Sequence, residues 1–595
     1  MGLLQKAVET YDAHKSRIGK YYDGEKIPLV PIGHIVTNAG IEVTIDANGK
    51  FVEARLVDKN EPKIIIPITE ESAGRTSGGR AHPLCDNLDY VAAYNKKKHA
   101  LYLEELSEWA NSKYSHPLLP PILAYVTGGT IEEDLLCSGL IQLNDNGVLD
   151  KEKLKLLICW RVVGLDVEDE ACWKSTSLFN AYTEWYQLKC GERASELCMV
   201  SGEWAMPAIQ HPKGIMPING NAKLISSNDT SGFTYRGRFT DDTQAVSVGY
   251  AASQKAHNAL RWVIGNQGVL EGVRMFVCWN PQGHPTPSLP LPMMLNREEK
   301  PPVTPTAFRE NLKKTLEGYR KQLLEGEDGV VIAAFDAATS GRLSVTYYNE
   351  LTGSDFLQRL YYWDSTCCWW NGMYGIESPS LYEIVQFAFG TLQGEKMKAD
   401  DRVAGQQIQR LIACRVDKSM FPQDIERALV EKASNLQLYG SGNRAKLLFI
   451  ACAAVKKYRH DRFKEDWEMA LEPEREDRSY QLGRLLAVLE KAERDSYNQN
   501  EAREPNAMRM QSAFTRRPFS VGCLVWEQVK KAYYPKLNPW LRGYYDQLIG
   551  QIMEQLSRYS ERELNRPLAD TYLLGYYLQK NDLYTSKKEK KTEEA

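Results

Sequence analysis

The chain changes its hydrophobic rhythm once along its length. Up to about residue 377, short stretches alternate apolar and polar side chains with the two-residue period of half-buried strands, and helical stretches lie between them. The first segment, MGLLQKAVETYDAHKSR, has the spacing of an amphipathic helix that should end near Tyr22. GHIVTNAGIEVTIDANGKFVEARLV then alternates on either side of Asn48-Gly49. That predicts a β-hairpin closed by a type I′ turn, because Asn-Gly supplies the positive φ angles such a turn needs. KIIIPIT (63–69) predicts a more buried strand, Asp89 to about Ser112 a helix, and ICWRVVGL a strand. SVGYAASQKAHNALRWVIGNQG predicts a helix with Gln254, Lys255 and Arg261 near its polar face. GVVIAAFDAATSGRLSVTYYNEL (329–351) predicts two strands about a DAATSG turn.

Beyond about Ser378 the strand signals fade. AGQQIQRLIACRV, IERALVEKAS, AKLLFIACAAVKKY, YQLGRLLAVLEKAER, CLVWEQVKKAYY and YYDQLIGQIMEQLSRYS all carry the 3.6-residue apolar spacing of helices. The predicted fold class is α+β: a mixed N-terminal region of β-hairpins and helices, followed by an all-α C-terminal helical bundle. The predicted domains are 1–377, divisible near 120–200 and 281–306; a helical connecting region, 378–468; and a C-terminal bundle, 469–595. The proline-rich 281–306 stretch reads as an exposed connection, and the final TSKKEKKTEEA as a disordered tail.

Composition narrows the function. At 595 residues the chain should hold two to four domains, and 43% apolar with 25% charged residues is ordinary for a globular protein. A formal net charge of -3 excludes a protein that coats nucleic acid with its whole surface, so any such binding must use local patches. Twelve scattered cysteines without a CxxC pair, no signal-peptide pattern and no apolar run of membrane-spanning length predict a cytoplasmic protein with reduced thiols and no membrane partner. Cys190 and Cys198 lack a second ligand pair for zinc. The phosphate-loop, GxSxG, HExxH and GxGxxG motifs are absent, and the nine histidines are dispersed. His82 and His211 each precede a proline and read as turn residues, while Asp336 and Arg342 read as fixing the DAATSG hairpin. No metal, cofactor or catalytic group is expected.

Local charge is more telling. Between His211 and Phe239 stand Lys213, Lys223, Arg236 and Arg238 against one acid, Asp229, among short amides, hydroxyls, glycines, Phe233 and Tyr235. Cations meet phosphates, amides read base edges and aromatics stack on bases, although the same Gly/Asn/Ser clusters also build ordinary turns. The loop ESAGRTSGGRAHPLCDN (71–87) is a second such place. Candidate DNA-reading residues are Ser72, Arg75, Thr76, Ser77, Arg80, Asn221, Ser226, Asn228, Tyr235, Arg236 and Arg238. Lys213, Lys223, Lys255, Arg261 and Gln267 are candidates for phosphate contact or a strand wedge. From Arg503 to Arg542, eight cations face two acids and alternate with Trp526, Tyr533, Tyr534 and Trp540. Arg509, Arg516, Arg517, Lys530, Lys531 and Arg542 are the candidates there for a nucleic-acid strand; the alternative is a solvated bundle face.

GNAKLISSNDTSGFTYRGRF (220–239), followed by VGYAASQKAHNALRWVI (248–264), resembles the signature of the large subunit of the subtype I-C CRISPR Cascade complex. The opening MGLLQKAVETYDAHKS, PITEESAGRTSGGRAHPLCDNLDYV (67–91) and YLLGYYLQKNDLY (572–584) fit the same family, so the resemblance runs from end to end. It implies a non-catalytic subunit that recognises the protospacer-adjacent motif on double-stranded DNA and promotes R-loop opening, while guide RNA reads the target. It also implies that the displaced strand lies on helical subunits. The implied partners are the guide RNA, target DNA, the Cascade backbone and small subunits, and a helicase-nuclease recruited to cut. A further implication is a free copy of the C-terminal domain, made from an internal start at Met469. The alternative class is a metal-dependent nuclease or RNA-processing enzyme of a defence system.

Overall fold

Two folding units share the chain, and neither is continuous in sequence. The computed structural model describes residues 2–585 apart from 59, 62, 76–78, 145–148, 192, 227–245, 293–300, 324–328, 338, 340, 499–500 and 502. The first unit comprises Met1–Leu270, Met275–Pro285 and Asp328–Glu350. The second comprises Glu271–Arg274, Thr286–Glu327 and Leu351–Ala595. The N-terminal region mixes strands with helices, and the C-terminal region is dominated by long helices.

In the first unit, helix α1 (Leu3–Ala13) stops short of Tyr22 because the chain reverses at Gly19, whose φ of 75° suits glycine and whose amide donates to Leu29 O. Strand β1 (His34–Thr37) pairs antiparallel with β4 (Ile64–Pro67), His34 facing Pro67. Between them β2 (Ile41–Asp46) and β3 (Phe51–Leu56) form the predicted hairpin. Its turn is not type I′. Gly49 alone takes a positive φ, while the Asp46 carboxylate accepts the amides of Asn48 and Lys50 and so holds Asn48 in an ordinary conformation. Strand β5 (Ile158–Val163) runs parallel to β2, which buries Ile41, Val43 and Ile45 completely.

The short helix α2 (Glu70–Ala73) follows β4. The predicted 89–112 helix is divided: after a single turn at Leu88–Val91, Asn95 accepts the Lys98 amide and starts helix α3 (Lys96–Ala110). Trp109 of α3 packs with Tyr182 and Trp185 of α4 (Thr176–Cys190) in one aromatic-rich core. A second core forms where α1 meets α5 (Tyr250–Gln267). It is closed by a four-stranded sheet whose strands β6 (Val269–Glu271), β7 (Arg274–Trp279), β8 (Gly329–Asp336) and β9 (Ser344–Thr352) lie in sequential order.

The second unit contains α6 (Pro305–Leu323), α7 (Gly353–Thr366), α8 (Leu381–Phe389), α9 (Asp401–Asp417), α10 (Gln423–Ala433) and α11 (Ser441–Phe463). It continues with α12 (Arg478–Arg494), α13 (Pro518–Gln528), α14 (Pro539–Leu556) and α15 (Thr571–Tyr584). The proline-rich stretch is not simply exposed: Leu289 and Pro290 are buried. The buried Arg415 guanidinium pairs with Asp364 and also donates to the carbonyls of Leu289 and Leu291. Extended, proline-broken backbone offers such carbonyls because they are not spent on a helix or sheet.

Candidate nucleic-acid interface

Residues 210–224 return on themselves beside the β8–β9 connection. Lys213 faces Lys223 across an antiparallel bridge, and Lys223 faces Arg342 across a parallel one. Backbone bonds from Lys223 N to Gly341 O (3.2 Å) and from Leu343 N to Lys223 O (3.0 Å) fix this alignment. Three cations therefore stand at neighbouring backbone positions, where like charges repel and a nearby anion is favoured. Neither lysine has a carboxylate partner among the described residues; Lys223 Nζ lies 3.5 Å from Gln210 Oε1. Burial, and then the charge of Lys213, push the Lys223 ammonium below its ordinary pKa.

Lys213 and Lys223 line a cleft of about 410 Å³, walled by apolar side chains of β1 and of residues 212–217 and bordered by α5. Gly214, at a φ of 79°, turns the chain so that Arg261 donates to both Lys213 O (2.5 Å) and Gly214 O (3.1 Å). Burial lowers Arg261 only to about 10, so it stays charged and adds positive potential, with no carboxylate partner among the described residues. The opposite rim is held by Glu70. Its Oε1 accepts the amides of Ile209 and Gln210, and its Oε2 pairs with Arg193. Gly74 permits the close approach of Gln210, whose Oε1 would lie 2.2 Å from an added Cβ. Histidines add hydrogen-bonding capacity rather than charge: burial pushes His211 down to about 4 and His34 to about 3. His211 Nδ1 lies 2.8 Å from Ser253 Oγ.

The sequence candidates are distributed unevenly around this site. Lys213, Lys223 and Arg261 line the cleft. Asn221 is exposed next to it, and Ser226 is half-buried. Lys255 pairs instead with Asp12 at 2.8 Å, and Gln267 is exposed at the far end of α5. Ser72 is buried as a capping partner of Thr69 and neighbour of His82 Nδ1. Arg75 is clamped bidentately by the buried Asp86 and lies 4.5 Å above the Tyr90 ring. Arg80 is exposed and pairs with Glu71 at 2.7 Å. Thr76, Ser77, Asn228, Tyr235, Arg236 and Arg238 lie outside the described residues. Three contributors escaped sequence reasoning as site residues. Arg342 reads as a hairpin residue until the bridge to Lys223 is known, Gln210 carries no motif, and Gln254, like the candidate Arg261, lies on the buried rather than the polar face of α5.

In the second unit, Arg509, Arg516, Arg517 and Lys530 are exposed and make no ion pair with described residues. Lys531 pairs with the exposed Glu527, and Arg542 is half-buried with Nε unpartnered. Of the interleaved aromatics, Tyr533 and Tyr534 are buried and Trp526 packs edge-on against Tyr534. Trp540 is 63% exposed, stacked on Tyr544.

Among the described residues, no group of three or more histidine, cysteine or acidic side chains is placed to hold a metal ion. None of their helices is long and apolar enough to cross a membrane. Compared with known families, residues 8–584 match the one described as CRISPR-associated protein (Cas_Csd1). No curated protein matches the chain.

Proposed function

The chain belongs to the Cas_Csd1 family of CRISPR-associated proteins, and from that premise we propose that it is the non-catalytic large subunit of a type I-C guide-RNA surveillance complex, reading the protospacer-adjacent motif on duplex DNA and promoting R-loop formation. The observation that carries this reading is the row Lys213–Lys223–Arg342, whose two lysines line a cleft and have no carboxylate partner among the described residues. Cations aligned by backbone bridges meet successive phosphates and hold nearby loops over the bases. The base-reading role falls to the exposed Arg80 and Asn221 and, from outside the described residues, to Thr76, Ser77, Asn228, Tyr235, Arg236 and Arg238. Ser72 and Arg75 shape the loop from within, and Ser226 flanks it. Lys255 and Gln267 are left to backbone or wedge contacts.

The displaced strand lies along Arg509, Arg516, Arg517 and Lys530, with Lys531 and Arg542 beside them and Trp540 as a stacking platform. Guide RNA, the Cascade backbone and small subunits are partners within the complex, and a helicase-nuclease joins after target binding. Residues 469–595 are in addition made separately from Met469.

The test uses the assembled, guide-loaded complex and duplex DNA across a salt series. Lys213→Ala and Lys223→Ala should each weaken binding to all sequences alike and reduce the slope of log affinity against log salt by about one. Unchanged affinity and slope in both would remove the row from the interface. The purified chain with labelled nucleic acid and Mg²⁺ or Mn²⁺ should show no cleavage; turnover would favour the nuclease alternative.

A further inference from the structure

Gln254 stands in the cleft with nothing to bind. It is 5% exposed, lines the cavity from the second turn of α5, and its amide makes no hydrogen bond to any described residue. The residue is nearly buried, but its amide atoms keep access to the cavity, so they are free to bind a group that enters it. His34 lines the same cavity: its Nδ1 is engaged with Ile32 O at 2.9 Å, and its Nε2 has no partner. With the ring neutral, that nitrogen is a spare acceptor. Around these groups the walls are apolar, formed by Ile35, Val36, Ile215 and Met216, and the lysine pair stands at the rim.

We propose that this cleft receives one unstacked nucleotide, its base between the apolar walls against the Gln254 amide and its phosphate on Lys213 and Lys223. The inference rests on the nucleic-acid reading above and adds to it what the cleft holds. A volume of about 410 Å³ is in the range of small-ligand sites. An amide presents one donor and one acceptor side by side, which matches a base edge such as that of adenine. A base still stacked in a duplex cannot reach an amide this deeply buried, so the ligand is an extruded or single-stranded nucleotide. The lysine pair separates a nucleotide from an uncharged ligand, and the apolar walls separate it from a bare phosphate.

The test pairs two variants with two probes. Gln254→Leu keeps the approximate volume and removes the unpartnered amide, so the free chain should melt at the same temperature or higher; Lys223→Gln removes one phosphate contact. Target duplex carrying 2-aminopurine at successive positions is added to the guide-loaded complex, and adenosine monophosphate or inorganic phosphate is titrated into the full chain. One 2-aminopurine position should report unstacking, and Gln254→Leu should abolish that signal while overall duplex binding persists. Adenosine monophosphate should bind about tenfold more weakly to Gln254→Leu, the loss of one buried hydrogen bond, and phosphate equally well to both. Lys223→Gln should weaken both ligands. A 2-aminopurine signal unmoved by Gln254→Leu, or none at any position, overturns the proposal even if adenosine monophosphate binds. In that case duplex binding by the unaltered complex leaves the reading as a DNA-binding subunit standing, whereas its absence sinks that reading as well.

Discussion

Glu426 is buried in α10 against Asp570, whose carboxylate is held by Arg459. Burial, and then the Asp570 charge, raise its pKa to about 8, although Arg459 pulls the other way. The folded chain therefore keeps this proton at neutral pH, whereas the unfolded chain releases it in the ordinary carboxylate range. Between those limits the native state binds more protons, so rising pH destabilises it, by at most about 1.4 kcal/mol per pH unit. Glu426→Gln mimics the protonated group. Its melting temperature should approach that of the parent near pH 5 and exceed it by a margin that grows towards pH 8. A margin independent of pH would show that Glu426 is already ionised in the fold. At this scale, sequence is a poor guide to a side chain's duty. Arg75 and Arg80 sit in the same loop and read alike, yet Arg75 is spent on the buried Asp86 while Arg80 faces solvent. Only the tertiary position of the carboxylate separates them.

Helices α12 and α15 cross at two glycines. A Cβ on Gly483 would come within 2.0 Å of Tyr572 O, and one on Gly575 within 2.1 Å of Tyr480 O. In an isolated helix, replacing glycine with alanine gains roughly 1 kcal/mol. Here the added methyl must force two backbones apart, a cost of about 1–3 kcal/mol typical of overpacking. Gly483→Ala and Gly575→Ala are each expected to lower stability in denaturant titrations; a gain in either would mean the helices do not meet this closely. The helices themselves were legible, because 3.6-residue spacing marks burial of one face, and α9 to α14 all fall on segments with that spacing. So were β2, β3, β4, β5, β8 and β9, whose alternation or apolar runs survive in the fold. What periodicity could not supply was the partner of each face. Arg261 breaks the apolar spacing of α5 yet is buried, since its guanidinium serves carbonyls of a turn 47 residues away. The bridge that brings Arg342 to Lys223 likewise joins segments far apart in sequence, and no local pattern encodes it.

Across the whole chain, a net charge of -3 coexists with cation clusters at Lys213–Lys223–Arg342 and at Arg509–Lys530, so binding depends on where charge is placed rather than on its sum. The family is legible in short blocks that include residues 220–239, yet most of that block lies outside the described residues, and the geometry of the cleft comes from its neighbours. The same unevenness bears on Met469. It is half-buried in the connection between α11 and α12, beyond the buried Trp467 and ahead of Arg475, whose guanidinium lies 3.3 Å over the Trp467 ring. A product beginning at Met469 would thus contain α12 to α15 without cutting a helix. It would also lose the partners that cover α15: Ser434 at 2.6 Å from the Tyr572 hydroxyl, Trp370 O at 2.7 Å from that of Tyr577, and Arg459 on Asp570. An uncovered face bearing Tyr572, Leu573 and Tyr577 needs a new partner, which suits a subunit destined for a complex better than a free protein. In cells expressing the full gene, Met469→Leu should remove the short C-terminal product and leave the long chain at its former level. The purified 469–595 piece should bind an apolar dye more strongly, mole for mole, than the full chain. Persistence of the short product in the variant would place its origin elsewhere, and a piece that binds no dye would mean α12 to α15 close on themselves without α11.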